Sequence, residues 1–275
     1  MTVDSYIMES TEETKRLMLQ VDSDELIDQY VSPIINQDRS SSQSLNNRLL
    51  ETGPGPGHLT ESIGAKHPEL QITAIDINSE RLRQAAENTA ELNNVELKIG
   101  DITDLPLPSD SYRYVFCRFV LEHIKKQQET AIGELYRVLE PGGVMILQSV
   151  DQGLGIHFPE TPYLAEIKEK LHQVLLAHNY DPNTGRYLKF LSQNAGFVLE
   201  EKPSVEIYKL YSNPVSVKEL EAYELKLQIG FPMFALAFDS HEEATEAQQY
   251  MLNYVKRPDT LSYSILMTVV ARKPE

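Results

Sequence analysis

The chain has 275 residues, enough to bury a full α/β core with or without a small cap. Its 41 acidic against 25 basic residues give a formal net charge of −16, which disfavours nucleic acid and argues weakly against a strongly anionic substrate. No apolar run approaches a membrane span, Met1-Thr2-Val3-Asp4-Ser5 has neither the basic region nor the apolar core of a signal peptide, and Cys117 is the only cysteine, so no internal disulfide or zinc-type cluster is expected and a cytoplasmic location is the default.

Residues 1–35 read as a helical cap. Ser10-Thr11-Glu12-Glu13 fits a capping box, Leu17, Met18 and Val21 give an apolar stripe, and a second short helix spans Asp24 to Tyr30. The polar, serine-rich stretch from Asn36 to Ser44 reads as a hinge or loop. Strands are then expected near 48–52, 71–76, 95–99, 113–118 and 144–150, with helices near 57–66, 79–92 and 127–138. Asn78 and Ser79 suit the N-cap of the second of these helices. Pro141-Gly142-Gly143 closes the third and turns into the fifth strand. Such alternation implies a parallel sheet with helices on both faces. Further on, helices are expected over Glu160–Ala177, Asn183–Ala195, Ser216–Gln228 and His241–Val255, and strands over Val205–Tyr211 and Ser262–Arg272.

Chemistry concentrates first at Leu49-Leu50-Glu51-Thr52-Gly53-Pro54-Gly55-Pro56-Gly57, with Ile72-Thr73-Ala74-Ile75-Asp76 ending on a carboxylate 19 residues after the last glycine. An apolar strand, a glycine turn, a helix and a second strand ending in Asp make half of a nucleotide-binding unit. The spacing departs from a dinucleotide fingerprint, since the third glycine stands one place early and His58 occupies its position. Glu51, two residues before the first glycine, would repel a pyrophosphate and suits an ammonium group. A tight turn without a ligand is the plainer alternative, but it needs neither the acid nor three glycines.

These residues resemble motif I of the class I S-adenosylmethionine-dependent methyltransferases, and the chain is similar to their small-molecule, quinone-biosynthesis-like type. The resemblance implies that Gly53 and Gly55 let main chain approach the methionyl part of the cofactor. It places Glu51 near the methionyl amino group and Asp76 on the ribose hydroxyls, with Ile77 beside it in the cofactor-binding set. Gly100-Asp101-Ile102-Thr103-Asp104-Leu105-Pro106 looks like the segment after strand 3, where the Asp101 side chain and the Ile102 N–H would meet the adenine; a turn role for Asp101 stays open. Val115-Phe116-Cys117-Arg118-Phe119-Val120-Leu121-Glu122-His123 resembles the strand 4 segment of small-molecule members and lacks the motif of enzymes that methylate nucleobases or glutamine amides. There the main chain of Cys117 and Arg118 would run beside the methionyl group. Arg118 meets the cofactor's carboxylate or pairs with a surface acid, and His123 is a general base or a helix-start histidine bonded to backbone. Arg113 stands where the family often has a second Asp, at what reads as a surface strand start. After strand 5, Asp151 and His157 lie in an expected loop at the sheet's carboxyl edge, as base or substrate contact or as plain polar loop residues.

The fold implied is α/β: a Rossmann-like, doubly wound seven-stranded sheet of order 3-2-1-4-5-7-6 with strand 7 antiparallel, an N-terminal helical cap and a helical insertion at 213–258. One methyltransferase domain would cover 1–275, with the cap at 1–35, the cofactor-binding core at 36–152 and substrate-side helices and last strands at 153–275. The function implied is methyl transfer from S-adenosyl-L-methionine to an O or N atom of a small organic molecule, with no metal, nucleic acid or membrane partner and with homodimerisation open. Peptide methylation, or non-methylating chemistry on the same cofactor site, remains an alternative. Tyr6, Arg16 and Gln20 are candidates to close over the cofactor. Tyr223, Phe231, Met233, Phe234 and Phe238 make the insertion aromatic, as acceptor pocket or as ordinary helix-packing core.

Overall fold

The computed structural model describes residues 23–41, 46–200, 202–212 and 214–275. Ser10 to Glu13, Tyr6, Arg16, Gln20 and the Leu17–Val21 stripe lie outside the described residues.

One sheet organises the chain. Its strands are β1 (Arg48–Thr52), β2 (Gln71–Asp76), β3 (Val95–Ile99), β4 (Tyr112–Arg118), β5 (Leu139–Phe158), β6 (Val198–Leu199), β7 (Ser204–Ser212) and β8 (Leu261–Arg272). The order is β3-β2-β1-β4-β5-β8-β6, with β7 also on β8. The first five strands are parallel and β8 runs antiparallel to β5, as expected of the penultimate sheet position. The expected strand Val205–Tyr211 is β7, paired with β8 from Thr268 to Leu261, and the short β6, which sequence reading missed, pairs with β8 at Ala271 and Arg272, so eight strands fill seven places.

Every residue of β4 is buried, because a central parallel strand is covered on both faces. The two-residue period sends Tyr114 and Phe116 to one apolar cluster and Val115 and Cys117 to the other. On the first face lie α1 (Ser23–Leu26), a π-helical turn Ile27–Val31, α2 (Ser32–Ser41) and α3 (His58–Lys66). The second face is covered by α5 (Gln128–Val138) and α7 (Leu188–Asn194). Between β2 and β3, α4 (Ser79–Asn88) takes Asn78 as its N-cap, through a 3.0 Å bond from the Arg81 N–H, and ends four residues short of the expected 92.

Three sequence expectations fail for identifiable reasons. Asn36–Ser44 is no loop as far as Ser41: α2 carries on past Ile35, which is fully buried, and places Asp38, 3 % exposed, against Arg113. Arg113 is not at the surface but 5 % exposed, donating to both oxygens of Asp38 at 2.6 and 2.7 Å. Burial pushes the Asp38 carboxyl up, but hydrogen bonds from Arg113, Arg272 and Tyr114 outweigh it and hold the group below its ordinary value. The expected loop after strand 5 is more strand: β5 bulges between Asp151 and Ile156, with Gln152 and Gly155 at positive φ, then re-pairs through His157 with Ser262.

The helices α6 (Pro162–Ala177), α8 (Val217–Ile229), α9 (Phe231–Ala237) and α10 (His241–Lys256) form a third cluster at the end of the sheet where β5 and β7 finish and β8 begins. The last three are the expected insertion, lying between β7 and β8. Ser216 and Glu219 close a capping box at the start of α8. No helix among the described residues is long and apolar enough to cross a membrane.

Candidate active site

The glycine turn leaves β1 at the carboxyl edge of the sheet, where ligands of open α/β sheets bind. Gly53 has φ +67°, and a Cβ there would fall 2.3 Å from Val120 Cγ2. Gly55 has φ +56° and a different surrounding: a Cβ would meet only Arg81 Nη1, at 3.8 Å, so open space lies beside its main chain. Both positions therefore need glycine, the first for packing and the second for a cradle against which main chain can meet a ligand. The Gly55 N–H donates to Asp76 Oδ2 at 3.2 Å and the Asn78 N–H to Asp76 Oδ1 at 2.9 Å, which fixes the carboxylate at the end of β2. Burial raises the Asp76 pKa despite these bonds. A carboxylate offers about four acceptor sites, so capacity for two hydroxyl donors remains. Ile77 and, on β3 opposite Asp76, Ile99 are 60 % and 65 % exposed, an apolar step at the same edge; sequence reading found Ile77 and not Ile99.

Glu51 is 4 % exposed and accepts from Thr60 Oγ1 at 2.7 Å. Burial pushes its pKa up to about 7, and the charge of Asp76 adds to the rise. A buried carboxyl so poised gains most from a cationic group beside it. This donor set fits S-adenosylmethionine: a carboxyl suited to an ammonium group, an open glycine main chain and an anchored carboxylate for a diol.

Asp101 is exposed, and its Oδ1 accepts from the Thr103 N–H and hydroxyl at 2.8 and 2.7 Å, so it does hold a turn; Ile102 behind it is 8 % exposed. Cys117 is 1 % exposed and burial drives its thiol up to about 12, the state of a packing residue and not a nucleophile. Arg118 pairs with no surface acid among the described residues. It is 8 % exposed, donates to Gln148 Oε1 at 2.6 Å and stacks 4.1 Å over Phe119; burial lowers its pKa. Phe119 has φ +54°, which turns the chain out of β4.

His123 follows β4 on the 3₁₀ turn Leu121–Gln127. Its ring packs edge-on against Tyr180 at 4.8 Å and its N–H donates to the Val120 carbonyl at 3.0 Å. His157 is not on a mobile loop. Its Nδ1 lies 2.8 Å from Ser262 Oγ and its Nε2 3.1 Å from the Leu154 carbonyl, and burial lowers its pKa to about 4. It is thus neutral near pH 7, with Nε2–H donating to the carbonyl and Nδ1 accepting from the hydroxyl. Asp151 is locked in an ion pair with Arg186 at 2.7 Å. Sequence reading missed Glu122, which is 2 % exposed, accepts from Ser149 Oγ at 2.8 Å and is pushed up to about 7 by burial. No local pattern distinguishes it from the surface glutamates that usually follow a strand.

Gly53, Gly55, Arg81, Arg118, His123 and His157 all line one cavity of about 290 Å³. It continues beneath the insertion, where Tyr223, Met233 and Phe234 form its wall. Those three belong to the helix-packing cluster as well, whereas Phe231 and Phe238 only pack. Glu51, Asp76, Ile77, Asp101, Ile102, Cys117 and Asp151 are not in the cavity wall.

Comparison with known proteins agrees with this geometry. A family model described as a methyltransferase domain matches residues 49–143. An uncharacterized methyltransferase of Schizosaccharomyces pombe is 28 % identical over 168 residues, covering 56 % of this chain and 57 % of its own. The demethylmenaquinone methyltransferase of Staphylococcus epidermidis is 33 % identical over 94 residues, covering 34 % of this chain and 37 % of its own. The chain thus spans little more than half the length of the first of these relatives and about a third of the second. In fold it is similar to Haemonchus contortus phosphoethanolamine N-methyltransferase 2 in complex with S-adenosyl-L-methionine, at a TM-score of 0.53 and 20 % identity, over 88 % of this chain and 52 % of that one. Residues 49–143 match a methyltransferase domain, and the chain has the fold expected of the class I methyltransferases.

Proposed function

We propose that the chain is one functional unit over 1–275 that transfers a methyl group from S-adenosylmethionine to an O or N atom of a small organic molecule. The observation that carries this is the single cavity running from the Gly53–Gly55 cradle into the apolar chamber under α8, α9 and α10. An acceptor held in that chamber faces the glycine turn with its approach already aligned. Alignment is most of what such a reaction needs from its protein.

When bound, S-adenosylmethionine supplies an activated sulfonium methyl group. Glu51 and Arg118 would hold the methionyl amino and carboxylate groups, Gly55 would let main chain approach, and Asp76 would accept the ribose hydroxyls, with Ile77, Ile102 and Asp101 at the adenine. The aromatic wall excludes water from the acceptor. If the acceptor is a hydroxyl, His123, on the cavity wall after β4, would take its proton at an imidazole nitrogen. His157 is unsuited, since both of its nitrogens are engaged. Asp151 is unsuited because of its pairing with Arg186.

A peptide acceptor would favour an open acidic groove, and the cavity wall has no carboxylate among the described residues. Incubation with methyl-labelled S-adenosylmethionine and a small-molecule extract, beside a protein extract, tests the reading. Label in the low-mass fraction supports it. Label in protein, or binding of S-adenosylhomocysteine without any transfer, moves the assignment to the peptide or the non-methylating alternative.

A further inference from the structure

The chain carries an excess of 16 acidic over basic residues, yet the described residues of the cavity wall include four cations, Arg81, Arg118, Lys209 and Lys226, and no carboxylate. Sampling such a surface at random would bring several acids into a wall of this size. Carboxylates stand behind three of these cations, Asp76 near Arg81, Glu122 near Arg118 and Glu219 near Lys209, but the cations are the charged groups that line the cavity, so the net charge is a poor guide to what enters.

Two of the cations stand on the acceptor side. Lys209 is on β7, where the ladder to β8 shifts between Ile207 and Lys209. The bulge leaves Tyr208 as the extra residue, so Tyr208 and Lys209, consecutive in sequence, both reach the cavity when a regular strand would send them to opposite faces. Lys226 is on α8, one turn after Tyr223 and beside Leu227, with its ammonium donating to the Gly153 carbonyl at 3.0 Å. Its positive field reaches His157, where it adds to the burial that keeps that ring neutral. Behind the lysines the wall is apolar: Leu175, Leu227, Met233, Phe234 and Met251.

We propose that the acceptor is an amphipathic organic anion, with its hydrocarbon or aromatic body in the chamber under α8, α9 and α10 and its oxyanion group held by Lys209 and Lys226. This rests on the methyltransferase reading and deepens it. Cations in a partly desolvated wall attract a carboxylate or sulfonate far more than they would in water. Arg81 and Arg118, on the glycine-turn side, are left to the cofactor.

The test uses the full chain saturated with S-adenosylhomocysteine and two fluorescent probes of nearly the same shape: anilinonaphthalene sulfonate, which is anionic, and N-phenylnaphthylamine, which is neutral. Lys209→Gln with Lys226→Gln is expected to weaken the anionic probe about tenfold and leave the neutral one within about twofold. On the wild-type chain, which needs no substitution to fold, dodecanoate is expected to displace the neutral probe at about one-tenth the concentration of dodecan-1-ol. Equal responses of the two probes, or dodecanol outcompeting dodecanoate, would overturn the proposal. So would a parallel loss of S-adenosylhomocysteine affinity in the double variant, which would give the lysines to the cofactor. Calorimetry of S-adenosylhomocysteine on the wild type reads the underlying assignment separately: no binding there removes the methyltransferase reading, whatever the probes do.

Discussion

Glu51 offers a test that separates its electrostatics from its packing. In the ligand-free chain, burial raises its carboxyl from an ordinary 4.5 to about 7. A carboxyl raised on folding binds its proton more tightly in the native state, so its contribution to stability is complete below about pH 4.5 and is lost as the pH climbs through 7. The displacement amounts to about 3 kcal/mol in all, of which about 2–3 kcal/mol falls between about pH 5 and about pH 8. Glu51→Gln abolishes this titration. The amide keeps an acceptor for Thr60 but adds buried N–H donors, a cost of about 1–3 kcal/mol that does not change with pH. The quantity to measure is therefore the gap between variant and wild type in urea-unfolding free energy at the two pH values. It should move in the variant's favour by about 2–3 kcal/mol from the lower to the higher pH. Saturating S-adenosylhomocysteine should shrink that movement, because an ammonium group beside Glu51 stabilises its charged form. A gap that stays constant across the range would refute the reasoning, whatever its size, since only the ionisation of Glu51 makes it vary.

Asp76→Ala should weaken S-adenosylhomocysteine binding by about 1–3 kcal/mol in calorimetry while far-UV circular dichroism is preserved, and an unchanged affinity would remove Asp76 from the site. Arg113→Met should lower unfolding stability by about 3–5 kcal/mol, because it leaves Asp38, at 3 % exposure, without its main counter-charge; a loss under about 1 kcal/mol would mean that Arg272 and Tyr114 suffice. With a hydroxyl acceptor, His123→Asn should lower the rate by about 10²–10⁴-fold and change the shape of the pH–rate profile. His157→Asn should change stability but leave the shape of that pH profile intact, and the reverse pattern would exchange the two roles.

The cofactor half was legible because its signals are local. An apolar run bounded by glycine and proline, a carboxylate at the next strand end and an Asn cap each announce themselves within a few residues, and β1, β2 and β3 begin and end where those signals put them. The misreadings share an opposite cause. Arg113 is buried by Asp38, 75 residues earlier, and nothing near Arg113 in sequence reports that partner. Gly153 and Gly155 carry the composition of a turn, but β8 is there to pair with Ile156, His157 and Phe158, so the glycines make a bulge within a strand. His157 loses its candidacy for the same reason, since its hydroxyl partner Ser262 is 105 residues away on β8.

The acceptor end is harder to read in principle, not only in this chain. Its wall takes Lys209 and Tyr211 from β7, Tyr223 and Lys226 from α8, Met233 and Phe234 from α9 and Ser262 from β8. No element contributes enough to form a motif. The aromatic content of 213–258 left two readings open, pocket or core, and Tyr223, Met233 and Phe234 are both at once: one side of each packs into the helical cluster and the other faces the cavity. A side chain in that position obeys the pattern rules of a core residue, so hydrophobic periodicity cannot separate the two. Charge separates them where periodicity does not. A lysine such as Lys226, one turn from the buried Tyr223 and next to the buried Leu227, breaks the pattern of a packing surface. Such breaks are the local trace that a non-local pocket leaves in sequence, and in this chain they are what the proposed anionic acceptor rests on.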